Sequence, residues 1–235
     1  SRNRERIKNE VYKGYTFIDS SPERDISPYY KNEKIIDYKP EEAKNILSKM
    51  GLKDIDRDGW LDLPDGKPFY FTILTNDDNP FRIKMGEIIA CDLKTSGLNV
   101  KLKPISYDLI VTKLLDTFDW DSIIIGVEGN LDPNNSSCIW ESKGSLHLWN
   151  PYQDTPHTEW EKRLDELFAI ARTTWDFEKA KDFYYEYQDI VAEELPIINI
   201  VVPAGIYGIR EGYGSVIPRA VTDNTIGFRP YIFKK

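Results

Sequence analysis

Between residues 69 and 127 the chain changes its hydrophobic period four times, and the order of those changes fixes what it can fold into. Phe69-Tyr70-Phe71-Thr72-Ile73-Leu74 reads as a strand. Residues 80–96 read as a helix capped by the Asn76-Asp77-Asp78-Asn79-Pro80 segment, with Ile83, Ile88, Ile89 and Leu93 inward and Gly97 as its stop. Val100 and Leu102 then alternate with lysines as a strand, residues 107–116 form a second helix, and residues 122–127, SIIIGV, return to strand. Three consecutive isoleucines suit a strand buried on both faces, the centre of a sheet. Strand, helix, strand, helix, strand implies two right-handed βαβ crossovers, hence a parallel sheet with helices on both faces: an α/β three-layer lobe.

The last of these strands runs into a long polar segment up to residue 152. It carries the turn formers Gly129, Asn130, Asp132-Pro133 and Asn134-Asn135, interleaved with Glu128, Trp140, His147, Trp149, Asn150 and Tyr152. Ligands of α/β proteins sit outside the carboxyl ends of the strands, so this loop is expected to floor a ligand cleft. Glu128 would supply charge or an acceptor, Asn130 and Asn150 hydrogen bonds, and Trp140, Trp149 and Tyr152 apolar walls. Trp140 and Trp149 have a second reading, as pins that hold a long loop to the body.

The flanking segments read as supports. Residues 2–13 form a helix that starts mid-pattern, without a cap or initiator Met, as a fragment of something longer would. Residues 15–40 are irregular but aromatic-rich, a strap across the body or a wall of the cleft, and residues 40–51 form a short helix with Ala43, Ile46, Leu47 and Met50 on one face. Residues 158–173 and 176–194 are amphipathic helices whose aromatic stripes belong to a core. Residues 197–202 read as another buried strand, and the tail from Pro203 has too few apolar residues for a core of its own.

Several classes of chemistry are excluded or weak. A net charge of −8 over 235 residues argues against nucleic acid as a partner. The two cysteines, Cys91 and Cys138, lie in unrelated contexts, and His147 and His157 lack zinc-ligand spacing, so neither a disulfide nor a zinc site is expected. Asp54, Asp56, Asp58, Gly59 and Asp62 match positions 1, 3, 5, 6 and 9 of a calcium loop, but Asp65 replaces the bidentate Glu and a strand follows in place of a helix. Paired acidic turns are the better reading, so no metal and no cofactor are expected. Nucleophile elbows, phosphate loops and dinucleotide fingerprints are missing. Glu128, Asp132 and Glu141 beside tryptophans leave a carbohydrate-active enzyme as a rival, though nothing selects that set from other acids, and no catalytic residue is assigned.

Five stretches together carry a resemblance: YKPEEAKNILSKMGLKDIDRDGWLDLPDGKPFYFTILT from Tyr38, DLKTSGLNVKLKPISYD, FDWDSIIIGVEGNLDPN, LHLWNPYQDTPHTEWEKRLDELF and DFYYEYQDIVAEELPIINIVVP. The chain resembles the C-terminal lobe of family 5 extracellular solute-binding proteins, the oligopeptide, dipeptide and nickel type of ABC importers. The resemblance implies a periplasmic-binding-protein-like (class II) fold, with residues 1–203 as the C-terminal ligand-binding lobe. Residues 204–235 would be a tail that returns to the hinge and first lobe. It implies no enzyme but a substrate-binding component that captures oligopeptides or dipeptides and delivers them to permease subunits. Such a protein works at the periplasmic or extracellular face, and the full-length form would be secreted or lipid-anchored, touching the membrane only through its anchor and transporter. In the family an acidic residue after the central strand often holds the peptide amino terminus; at that spacing this chain has Gly129, with Glu128 beside it and Asp132 further on. Oligosaccharides, which the same fold also carries, stay open as the alternative ligand.

Overall fold

The computed structural model describes residues 3–32, 36–127 and 130–205. In chain order the helices and strands are α1 (Arg4–Glu10), β1 (Thr16–Phe17), α2 (Pro40–Lys49), β2 (Tyr70–Asn76), α3 (Pro80–Thr95), β3 (Asn99–Ile105), α4 (Tyr107–Thr112), β4 (Ser122–Ile123), α5 (Ser137–Trp140), α6 (Glu159–Ala171), α7 (Phe177–Glu194) and β5 (Val202–Pro203). They fall into two compact units. The first comprises Ser1–Ile18, Ile35–Val127 and Ile200–Pro203; the second comprises Asp19–Lys34, Glu128–Asn199 and Ala204–Lys235.

In the first unit the sheet order is β3-β2-β4, all parallel. β2 and β3 pair along their full length, from Tyr70 with Asn99 to Asn76 with Ile105. The chain moves one way from β2 to β3 and back past β2 to reach β4, so right-handed crossovers place α3 and α4 on opposite faces. The three layers expected from the element order are therefore present. Their core gathers Ile73, Ile88, Ile89, Val100 and Ile124, joined by Ile7 of α1, which is wholly buried.

Three expectations for this unit need correction. Among the described residues the SIIIGV run is not the central strand: β2 is, and β4 lies at the edge of the three strands, pairing through Ser122 and Ile123. Side chains alternate between the two faces along this run, Ile124 buried on one and Ile123 and Ile125 half-buried on the other. The second helix stops at Thr112 and loosens into a π-helical turn, Lys113–Thr117; Thr112 Oγ1 donates to Asp108 O at 3.0 Å, a competing bond that slackens a helix. On α2 only Leu47 packs against the core, whereas Ile46 and Met50 are exposed.

The second unit is helical. α6 and α7 pack through Leu164, Leu167, Phe168, Tyr184, Tyr187 and Val191, with Trp140 of α5 against Tyr187. α6 opens with a capping box, in which Thr158 Oγ1 accepts from Glu161 N at 3.2 Å and Glu161 Oε2 accepts from Thr158 N at 2.9 Å. Of the strap expected over residues 15–40, residues 19–32 lie here, and their buried anchors are polar: Ser21, Glu23 and Ser27. Gln188 of α7, fully buried, accepts from Ser21 Oγ and Lys31 N at 2.9 Å and donates to Tyr29 O and Tyr184 O at 2.8 Å. All of its amide capacity is used, as a buried polar group requires.

The strand expected at residues 197–202 also needs correction. Only Val202 and Pro203 pair, antiparallel to β1. Ile197 packs in the second unit's core and Ile200 and Val201 in the first unit's, so the run is apolar because two cores draw on it. The tail expected over residues 204–235 lies outside the described residues from 206 onward.

Candidate functional site

The loop that follows the sheet, described from residue 130, belongs to the second unit, and its geometry comes from local hydrogen bonds. Asp132 Oδ1 accepts from Asn134 N at 3.0 Å and starts the 3₁₀ turn Pro133–Ser136. Asn130 Nδ2 donates to Ser136 Oγ at 3.2 Å, and Leu131 O accepts from strap Ser27 Oγ at 2.7 Å. Gly144 is required where the loop doubles back: a Cβ there would sit 2.0 Å from Cys138 O.

Glu161 is the hub of the loop's far half. It is 1% exposed. Its Oε1 accepts from Trp149 Nε1 at 3.1 Å and Gln153 Nε2 at 3.2 Å and faces His147 Nε2 at 3.2 Å. Its Oε2 accepts from His157 N, Thr158 N and Thr158 Oγ1. Burial alone would raise its pKa, but the hydrogen bonds of Thr158, His147, Gln153 and Trp149 outweigh burial and lower it to about 2. Gln153 Oε1 in turn accepts from Asn150 Nδ2 at 3.0 Å, and His147 Nδ1 lies 3.1 Å from Ile139 O. One carboxylate thus holds residues 147–158 in shape.

The eight candidate binding residues are distributed unevenly. Glu128 and Gly129 lie outside the described residues. Trp140 is 4% exposed and packs on Trp149 and Tyr187, so its indole is part of the core. Trp149 is half-buried, its ring over His147 at 3.9 Å and its N–H on Glu161. Asn150 is half-buried and bonded to Gln153 and His157. Asp132 and Tyr152 are exposed, Tyr152 with a φ of +60° that turns it outward. Glu141 forms an ion pair with Arg172 at 2.6 Å. Glu161, Gln153 and Gln188 escaped the sequence reading, although the Thr158-x-x-Glu161 spacing was a legible capping signal.

A second group lies within the first unit at the carboxyl ends of β2 and β4, where open α/β sheets bind ligands. Asn79 caps α3, its side chain accepting from Arg82 N at 3.0 Å. Arg82, in the first turn, directs Nη1 to Asn76 Oδ1 at 2.8 Å, and its Nη2 lies over Gly126, 2.6 Å from where a Cβ would be. No acidic side chain occupies the first turn of α3, the place where the helix dipole favours anions and disfavours cations by about 0.3–1 kcal/mol.

The acidic loop brings the carboxylates of Asp54, Asp56 and Asp58 within 4.8 Å of one another, all three exposed. They accept from loop amides, Gly59 N to Asp54, Asp58 N to Asp56 and Trp60 N to Asp58. Asp62 is buried with Oδ2 on Ile55 N, and Asp65 pairs with Lys67. Of the calcium-loop positions, only the first three acids converge; the ninth and twelfth are bonded elsewhere.

Among the described residues no helix is long and apolar enough to cross a membrane. Residues 2–146 match the family described as bacterial extracellular solute-binding proteins, family 5 Middle. The oligopeptide-binding protein AppA of Bacillus subtilis (strain 168) is 26% identical over 207 residues, which is 85% of this chain and 36% of that protein. A solved structure of AppA in complex with a nonapeptide matches with a TM-score of 0.73 at 24% identity, covering 86% of this chain and 39% of that one. The binding protein MelB of Agrobacterium fabrum C58, solved with stachyose, matches with a TM-score of 0.75 at 18% identity, covering 86% and 32%. The fold is that of the periplasmic binding proteins, and the chain spans about a third of the length of these relatives. With well over half of its residues matched, the chain belongs to the bacterial extracellular solute-binding proteins of family 5.

Proposed function

We propose that the chain is the C-terminal ligand-binding lobe, residues 1–203, of the substrate-binding component of an ABC importer, and that its cargo is oligopeptide or dipeptide. The observation that carries this reading is the extended similarity to a protein named for oligopeptide binding, over 85% of the chain. The longer protein would work at the periplasmic or extracellular face, hold its ligand by closure of two lobes, and hand it to permease subunits without chemistry. In the loop, Asp132 and Tyr152 are the exposed candidates for ligand contact and Asn130 and Asn150 the half-buried ones, with Glu128 and Gly129 next in sequence; Trp140 and Trp149 serve by holding the loop. Oligosaccharide cargo is the second reading, favoured by the likeness to stachyose-bound MelB and by the aromatic residues around the loop.

A two-dimensional NMR titration of the 235-residue chain with tri- and tetra-alanine, and separately with cello- and manno-oligosaccharides, tests both. Peptide-induced shifts at Asn130, Asn150 and the Trp149 indole are the expected result. Shifts at those signals with sugar alone would replace peptide by oligosaccharide, and silence of the loop toward both would remove it from the binding surface.

A further inference from the structure

Arg82 is unusual for a half-buried cation. Among the described residues no Asp or Glu side chain forms an ion pair with it, whereas Arg163 and Arg172 of the second unit are both paired with glutamates. Among the described residues, its guanidinium hydrogen-bonds to the neutral amide of Asn76. That amide is itself buried and oriented, because its Nδ2 donates to Asp78 Oδ1; Asp78 thus reaches the guanidinium only through Asn76. On the other side the guanidinium spreads over Gly126, where the absence of a side chain leaves it room. The remaining donors are held in a fixed plane at the carboxyl ends of β2 and β4.

A planar fork of N–H donors that has no counter-charge among the described residues matches a carboxylate, which accepts two parallel bonds. We propose that Arg82, positioned by Asn76 and given space by Gly126, is a specificity-determining residue that binds a carboxylate of the ligand, either the peptide C-terminus or an acidic side chain. This deepens the reading of the chain as a peptide-binding lobe and rests on it. Gly126 matters as much as the charge: any side chain there displaces Nη2.

The test is an NMR titration of the 235-residue chain, following the Arg82 Nε–H and Gly126 amide signals. Three probes are compared at constant ionic strength: tri-alanine with a free carboxylate, tri-alanine amide, and sodium acetate against sodium chloride. The free acid is expected to bind about ten-fold more tightly than the amide and to shift both signals, and acetate is expected to shift Arg82 on its own. Arg82→Gln is expected to bring acid and amide within about two-fold of each other, and Gly126→Ala to do the same while keeping the charge. Equal binding of acid and amide by the unaltered chain, with acetate silent at Arg82, overturns the role of Arg82 and leaves peptide binding intact. An Arg82 response to acetate with no response to either peptide upholds the carboxylate site and removes peptide as cargo. Silence toward all three probes overturns both.

Discussion

The two units bury their interiors by different chemistry. In the first, the hydrophobic core is aliphatic, with Ile7, Ile73, Ile88, Ile89, Val100 and Ile124 carried on a seven-residue parallel ladder and one long helix, and the polar residues buried in that unit, Asp62, Thr75, Asn76 and Asp92 among them, are not members of that cluster. The second has an aromatic core threaded by buried polar groups that include Glu23, Ser142, His147, Gln153, Glu161 and Gln188. An aliphatic interface is non-directional and tolerates small shifts, because its stabilisation follows the area removed from water. A hydrogen-bonded interior is directional, and each member left unpaired costs about 1–3 kcal/mol. The second unit should therefore be the more brittle and the more sensitive to pH.

The largest expected effect is at Gly144. Its added Cβ would meet backbone, Cys138 O at 2.0 Å and Glu141 O at 2.9 Å, and backbone cannot turn aside as a side chain can. Gly144→Ala should lower stability by at least about 3 kcal/mol, or roughly 10 °C in the melting of the second unit. Thermal unfolding followed by tryptophan fluorescence and by amide NMR of both units reads it. A melt within a degree or two of the unaltered protein would mean that the loop yields as easily as the aliphatic core.

Two buried glutamates of the second unit should then bend its stability in opposite directions with pH. Glu161, held down to about 2, keeps its charge in the folded state while the unfolded residue titrates at 4.5. Its contribution is present above pH 4.5 and is lost as the pH falls toward 2, about 3 kcal/mol in all. Glu23 behaves in reverse. Burial raises it to about 7 against the opposing hydrogen bond from Tyr187 OH at 3.2 Å, and the charge of Asp132 adds to the rise. Between pH 4.5 and 7 the folded carboxyl holds a proton that the unfolded one has released, so stability falls with rising pH, again by about 3 kcal/mol at most. Urea unfolding at intervals from pH 3 to 8 should show the slope above pH 4.5 vanish in Glu23→Gln, and the acid slope shrink in Glu161→Gln. A pH-independent second unit would show that neither carboxyl is as enclosed as its geometry indicates.

The same division explains what could be read from sequence. The order of elements between residues 69 and 127, the three layers, and the two long helices of the second unit follow from hydrophobic period, which the aliphatic unit expresses directly. Strand position in the sheet does not: SIIIGV looks central because period reports burial of a side chain, whereas centrality depends on which neighbour a crossover skips. The 197–202 run misled for a related reason, since an apolar segment shared by two cores has the composition of a strand without its partners. In the loop, the tryptophans drew attention and the residues that hold the shape did not. The Thr158-x-x-Glu161 spacing announces a helix cap, but the contacts that make Glu161 a hub and Gln188 a buried anchor include partners 8 to 167 positions away, which that local pattern does not announce.

The smallest effect sharpens the comparison from the aliphatic side. Gly86 lies inside α3, and a Cβ there would come within 2.6 Å of Leu102 Cδ1 and 3.5 Å of Ile124 Cδ1, a contact as short on paper as many that break proteins. The obstructing atom, however, is the end of a flexible, half-buried side chain, and a rotamer change relieves it. Against that cost stands the gain of about 1 kcal/mol for alanine over glycine in a helix interior. Gly86→Ala should change stability by less than about 1 kcal/mol in either direction, with the β2–β3 amide signals unmoved. A loss above about 2 kcal/mol would show that the α3 face of the sheet is packed as rigidly as the loop around Gly144, and the contrast between a forgiving unit and a brittle one would fall with it.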